Sequence, residues 1–190
     1  MAGYIILAAI LLLPLIYVFA QYNGLVGLRN HISNAWSNVD TELKRRHELI
    51  PNLVATVKGY AEHEREVLKQ VTEMRNQCAG LQGGDASTAS KQGGAEAQLV
   101  GALQKLMMVV ENYPQLKADQ NFLQLQQELT NTEDRIQAAR RFYNGNVRDY
   151  KIKCESFPSN IVAGVFGFES RDYFDVAPSV REVPDIKFSS

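Results

Sequence analysis

In the stretch AWSNVDTELKRRHELIPNLVATVKGYAEHE (residues 35–64), Ala35 and Val39 stand four apart, and Ile50, Leu53, Val57 and Tyr60 follow at spacings of three and four. Side chains so spaced share one face of an α-helix, whereas a strand would alternate them, so this stretch is helical. The stripe extends back through Leu25, Leu28 and Ile32 and forward through Val67, Val71, Met74 and Cys78. A period of about 3.5 to 3.6 residues held over residues 25–78 leaves no place for strands. Pro51 interrupts it. Proline removes one backbone hydrogen bond and clashes with the preceding turn, which predicts a kink or break at residues 48–51.

On the N-terminal side, AGYIILAAILLLPLIYVFA (residues 2–20) holds no charged or strongly polar side chain, and the first charge is Arg29. A helix of that length spans roughly 28 Å, about one hydrocarbon core, so residues 1–21 are expected to be a single-pass transmembrane anchor in contact with the lipid bilayer. A cleaved signal peptide would have a basic start and a small-x-small exit, both missing here. Pro14 is tolerated in a membrane helix, and Tyr4, Tyr17 and Tyr22 lie towards its ends, where amphipathic rings favour the interface. Arg29, Lys44, Arg45 and Arg46 follow the span while no Lys or Arg precedes it, which places the soluble body on the cytoplasmic side of the inner membrane.

On the C-terminal side, GLQGGDASTASKQGG (residues 80–94) reads as a mobile Gly-rich loop. A third helix is expected from Ala95, with Leu99, Leu103, Leu106 and Tyr113 on one face, ending ahead of Pro114. A fourth begins near Asp119 and carries Phe122, Leu125, Leu129, Ile136, Tyr143, Val147 and Tyr150. The fold class is therefore all-α: an N-terminal transmembrane helix, an antiparallel bundle of long amphipathic helices over residues 22–156, and an extended C-terminal tail over residues 157–190. The tail is expected to pack its Phe and Val side chains on the bundle or on a neighbouring subunit.

Three stretches carry a resemblance: residues 35–64; ENYPQLKADQNFLQLQQELTNTEDRIQAARRFYNGNVRDY (residues 111–150); and FPSNIVAGVFGF (residues 157–168). Together they closely resemble the LemA family of bacterial membrane proteins, over about residues 22–188. The resemblance implies a membrane anchor followed by an antiparallel helical bundle. It implies no reaction.

The chemistry-bearing residues give no catalytic constellation. His31, His47 and His63 stand 16 apart, and at 100° per residue successive ones point about 160° apart, so they cannot jointly hold a metal on one straight helix. They are expected on solvated polar faces. The position four after His63 is Val67, so the paired histidines of a zinc-protease motif are missing. Cys78 and Cys154 lie on apolar stripes without C-x-x-C spacing and read as small buried hydrophobes, reduced in a cytoplasmic body. Arg45 and Arg46, and the pair Arg140 and Arg141, are candidates for anionic headgroups or an acidic partner; acids at helical spacing favour ion pairs instead. The polar residues around Trp36 include Ser37 but no positioned base. Neither metal nor cofactor is expected.

The chain has 190 residues, enough for one domain, and a formal net charge of −1, which argues against nucleic acid as a partner. The expectation is a membrane-anchored helical scaffold that associates with copies of itself through Phe157, Pro158, Ile161, Val165, Phe166 and Phe168, with Arg45 and Arg46 as further contact residues. The alternatives are an accessory or sensor subunit of a membrane-protein complex, with Pro51 and the Gly-rich loop as moving parts, or an envelope enzyme whose site forms between subunits.

Overall fold

Every regular element is helical in the structure, a computed structural model that describes residues 1–175 without the side chains of residues 2 and 5–11. The helices are α1 (Ala2–Tyr60), α2 (Arg65–Ala79), α3 (Ala89–Val110), α4 (Pro114–Lys117), α5 (Gln120–Glu155) and α6 (Ser159–Val165). Tyr60 meets Asp119, Arg46 meets Glu133 and Trp36 meets Tyr143. Numbers falling along α1 as they rise along α5 make this an antiparallel pair. α2 packs on both α1 and α3, and side chains of all three helices meet along the second half of α1.

The stripes close into two cores. One joins Leu25, Ile32, Val39 and Leu43 of α1 to Ile136, Tyr143, Val147 and Tyr150 of α5. The other joins Ile50, Leu53 and Val57 of α1 to Leu68, Val71, Leu99 and Leu106 of α2 and α3, with Phe122 at the start of α5. Asp119 caps α5 by accepting a hydrogen bond from the Phe122 N–H at 3.0 Å, satisfying one of the free donors of the first turn. Backbone hydrogen bonds and the hydroxyl of Tyr60 stabilise its ionised form and hold its carboxyl below the ordinary carboxylate range.

Three expectations need correction. The break at Pro51 does not occur, since α1 continues to Tyr60. Proline lacks the N–H that would reach the carbonyl of His47 four residues back. Arg75 of α2 supplies the missing donor, its Nε standing 3.0 Å from that oxygen. The local loss is made good by another helix.

The segment 80–94 is not a loop throughout. Residues 89–94 are already α3, and a short 3-10 turn at Ala86–Thr88 leads into it. Asp85 accepts a hydrogen bond from the Ser87 N–H at 2.9 Å, and Trp36 donates its indole N–H to the Gly84 carbonyl at 2.8 Å. Ala86, Ala89 and Gly93 are buried. A Cβ at Gly93 would strike the carbonyl of Asp175, so this small-residue composition serves close packing.

The tail is not extended at its start, because Ser159–Val165 form α6, which buries Val162 and Ala163. Residues 166–175 then run without regular structure across α5. Asn144 clamps both backbone groups of Phe174, accepting from its N–H at 2.9 Å and donating to its carbonyl at 3.2 Å. The Phe174 ring is fully buried against Trp36. The remainder of the tail, residues 176–190, lies outside the described residues.

Helix is present from Ala2, as expected. The expected membrane span rests in part on side chains outside the described residues; among those described, no helix is long and apolar enough to cross a membrane. The described side chains of Leu12, Leu13, Leu15, Ile16 and Phe19 are all more than half exposed.

Candidate functional site

Between the two cores lies a layer of polar side chains. Leu43 and Ile50 are buried on the core face of α1, and the positions between them on that face, three and four residues after Leu43, are Arg46 and His47. On α3, Ala89, Gln92, Glu96 and Leu99 follow at spacings of three and four and are all buried. α1 and α3 thus each spend two core positions on polar groups, and these meet. Arg46 is 3% exposed, His47 1%, Gln92 0% and Glu96 1%.

Glu96 is the hub. Its Oε1 accepts from His47 Nε2 at 2.8 Å and from Gln92 Nε2 at 3.2 Å, while its Oε2 accepts from Arg46 Nη1 at 3.2 Å. Arg46 Nη2 extends to Glu133 of α5, so one guanidinium ties three helices together. With its proton on Nε2, His47 accepts at Nδ1 from Gln82 Nε2 at 2.8 Å. The Cys78 thiol also faces Glu96. Burial first, then the charge of Glu96 and a hydrogen bond to it, push that thiol up to about 12, against the opposing pull of Arg46. One atom stays unmatched: the side-chain oxygen of Gln92 is buried without a hydrogen-bond partner.

Chemically, the layer is a desolvated carboxylate ringed by donors. The protonated Cys78 is a poor nucleophile at neutral pH, since reaction needs the thiolate. Taking an ion pair out of water costs about as much as the pairing returns, so the intact layer adds little net stability while tying α1, α3 and α5 together. A cavity of about 100 Å³, lined by Arg46, Glu96, Glu133, Arg140 and Phe174 among others, adjoins it on the α5 side.

The residues singled out from sequence are dispersed. Arg46 is not an open contact residue, because it is buried and paired within the bundle; Arg45 beside it is exposed. His31 and His63 are exposed as expected, but His47 is not on a solvated face, because it lies in the core stripe. Cys78 is buried, Cys154 is half-buried, and both are free. Trp36 belongs to the first core, while Ser37 is exposed. At the α5–α6 corner Phe157, Pro158, Ile161, Val165 and Phe166 are exposed, Phe157 by 81% and Val165 by 75%. Phe166 meets Tyr22 of α1 with ring centroids 5.0 Å apart, and Phe168 lies beneath the Arg29 guanidinium at 5.6 Å. Gln82, Gln92 and Glu96 were not singled out. Their signal was the interrupted apolar stripe on α1 and the Gln-Glu spacing ahead of Leu99.

A family model described as the LemA family matches residues 35–188. Over 84% of its length the chain is 28% identical to Magnetosome protein MamQ 2 of Paramagnetospirillum magneticum, and the match covers 66% of that protein. It is 26% identical to Magnetosome protein MamQ of Magnetospirillum gryphiswaldense over the same shares. Protein LemA of Metamycoplasma hominis is 28% identical, with 85% of this chain matched to 69% of that one. The chain spans 66% of the length of the magnetosome relatives it matches.

Proposed function

Since this chain belongs to the LemA family, we propose that it is a membrane-anchored helical interaction protein of the bacterial cell envelope that associates with copies of itself and catalyses no reaction of its own. The observation that carries this reading is the pair of apolar surfaces at one end of the molecule. Exposed Leu12, Leu13, Leu15, Ile16 and Phe19 lie on the first part of α1, and exposed Phe157, Ile161, Val165 and Phe166 form the α5–α6 corner. The Tyr22–Phe166 contact sets that corner just past the uncharged run of residues 2–20. Apolar patches of this kind mark membrane or protein contacts rather than ordinary solvated surface. With residues 2–20 in the bilayer, the corner sits where α1 leaves it, beside the same corner of a neighbouring copy. Arg29, Lys44 and Arg45, following the uncharged run, support a body on the cytoplasmic side.

A second reading, an accessory subunit beside another membrane protein, uses the same corner. In the sensor version the parts that could move are narrower: Pro51 lies inside a continuous α1, and only residues 80–85 of the segment 80–94 lie outside helical turns.

The test is the mass and composition of the particle formed by full-length protein gently extracted from its own membrane, by light scattering and mass spectrometry. The expected result is a discrete particle of one polypeptide in several copies, made smaller by Ile161→Ser with Phe166→Ser. A monomer, or a particle unchanged by that double variant, overturns self-association through the corner. A second polypeptide at fixed ratio makes the chain an accessory subunit.

A further inference from the structure

The polar layer gathers an imidazole, a thiol and a carboxylate from three helices that are distant in sequence. The ligating atoms of His47, Cys78 and Glu96 all lie within 4.8 Å of one another, and all three residues are buried. We propose that this layer is a binding site for a divalent metal ion of the zinc class, with His47 Nε2, Cys78 Sγ and Glu96 Oε1 as ligands. The inference concerns the bundle interior and is independent of the anchor and the α6 corner.

Around a tetrahedral zinc, with ligand bonds of about 2.0–2.3 Å, neighbouring ligand atoms stand roughly 3.3–3.6 Å apart. The present separations, 2.8 Å for one pair and none above 4.8 Å, bracket that value. His47 Nε2 and Glu96 Oε1, now 2.8 Å apart across a shared proton, must open slightly, and Cys78 Sγ is already within 4.8 Å of both. The thiol and imidazole select a borderline metal of this class over magnesium or calcium, which take oxygen ligands throughout.

The surrounding groups already stand where the supporting partners of such a site are needed. Arg46 holds Oε2 of Glu96, leaving Oε1 directed at His47 and Gln92. An imidazole that gives Nε2 to a metal carries its proton on Nδ1 and needs an acceptor there. Gln82, 2.8 Å from Nδ1, supplies one when its terminal amide turns over. Gln92 now turns its amide N–H to Glu96 and leaves its oxygen buried without a partner; turning that amide over would bring the oxygen towards the layer as a neutral fourth ligand.

The charges also balance. With a protonated thiol, Arg46 stands against Glu96 and Glu133, a net of −1. A divalent ion adds two positive charges. Cys78 forms its sulfur–metal bond as its S–H proton leaves to solvent, adding one negative charge and bringing the layer to neutrality. The His47 proton moves from Nε2 to Nδ1 and is not released. Metal binding therefore releases one proton.

The test uses full-length protein in detergent, stripped with chelator and titrated with Co²⁺ as the probe. Cys154→Ser, which removes the half-buried thiol outside the layer, leaves Cys78 as the only sulfhydryl. In that variant the expected result is thiolate-to-cobalt charge transfer in the near ultraviolet with tetrahedral ligand-field bands, saturating at one equivalent and erased by Zn²⁺. Gln82→Leu should weaken the affinity on the order of 10–100-fold, the usual effect of losing an outer partner. Absence of the charge-transfer band in Cys154→Ser overturns the proposal. So does a band in wild type that persists in Cys78→Ser with its helical circular dichroism intact.

Discussion

Glu96 shows how one side chain can organise a layer. It receives His47, Gln92 and Arg46 on two oxygens, and only Arg46 has a second acid, Glu133, towards the surface. Replacing Glu96 by Leu leaves a buried guanidinium held from one side alone. The expected loss is about 3–5 kcal/mol in urea unfolding, the usual cost of stranding a buried charge. Combining Glu96→Leu with Arg46→Met should recover most of it, because an apolar pair of similar volume carries no desolvation cost. Part of this was legible in the sequence. The apolar stripe lapses between Leu43 and Ile50, and Arg46 and His47 fall on its continuation. Nothing along the chain shows that Glu96, about fifty residues further on, would face them. That pairing is made by the packing of α3 on α1, so the layer escapes a reading based on local spacing.

Among the elements, α1 best separates what periodicity can and cannot decide. Its spacing of three and four identifies helix correctly on both sides of Pro51, yet the rule that proline ends a helix fails. The rule counts only donors within the helix, whereas the His47 carbonyl takes its donor from Arg75. Arg75→Ala should therefore destabilise the protein by about 1–2 kcal/mol, typical of losing a charged hydrogen bond to an otherwise unsatisfied carbonyl. In a Pro51→Ala background the backbone N–H returns, and the same Arg75→Ala change should cost much less. A double-mutant cycle from urea melts measures that coupling. The segment 80–94 fails for a related reason. Gly, Ala and Ser signal flexibility when nothing packs on them, but here Trp36 and Asp175 come close enough to need small residues.

At the level of the whole molecule, the all-α class and an antiparallel bundle were legible, because both follow from long apolar stripes and the connections between them; that α1 pairs with α5 was not, since no spacing along the chain says which stripes meet. The closing of the first core by residues 166–175 was legible only as a tendency of aromatic side chains to pack. The buried Phe174 and its Asn144 clamp make that segment part of the fold. Phe174→Ala should cost about 3–5 kcal/mol through lost burial and the cavity left behind. Urea unfolding followed by the fluorescence of Trp36, the only tryptophan and a direct neighbour of Phe174, measures it.

One consequence of α1 is mechanical. Its 59 residues form one continuous helix, roughly 88 Å along its axis, with Arg75 supplying the donor that Pro51 lacks. The bundle is fastened along most of that helix, so it cannot swing independently of it. Tilting the Ala2 end by about 10° carries the Tyr60 end sideways by roughly 15 Å on a rod of this length. The molecule is a lever, and small reorientations of its first turns are geared into large displacements at its far tip.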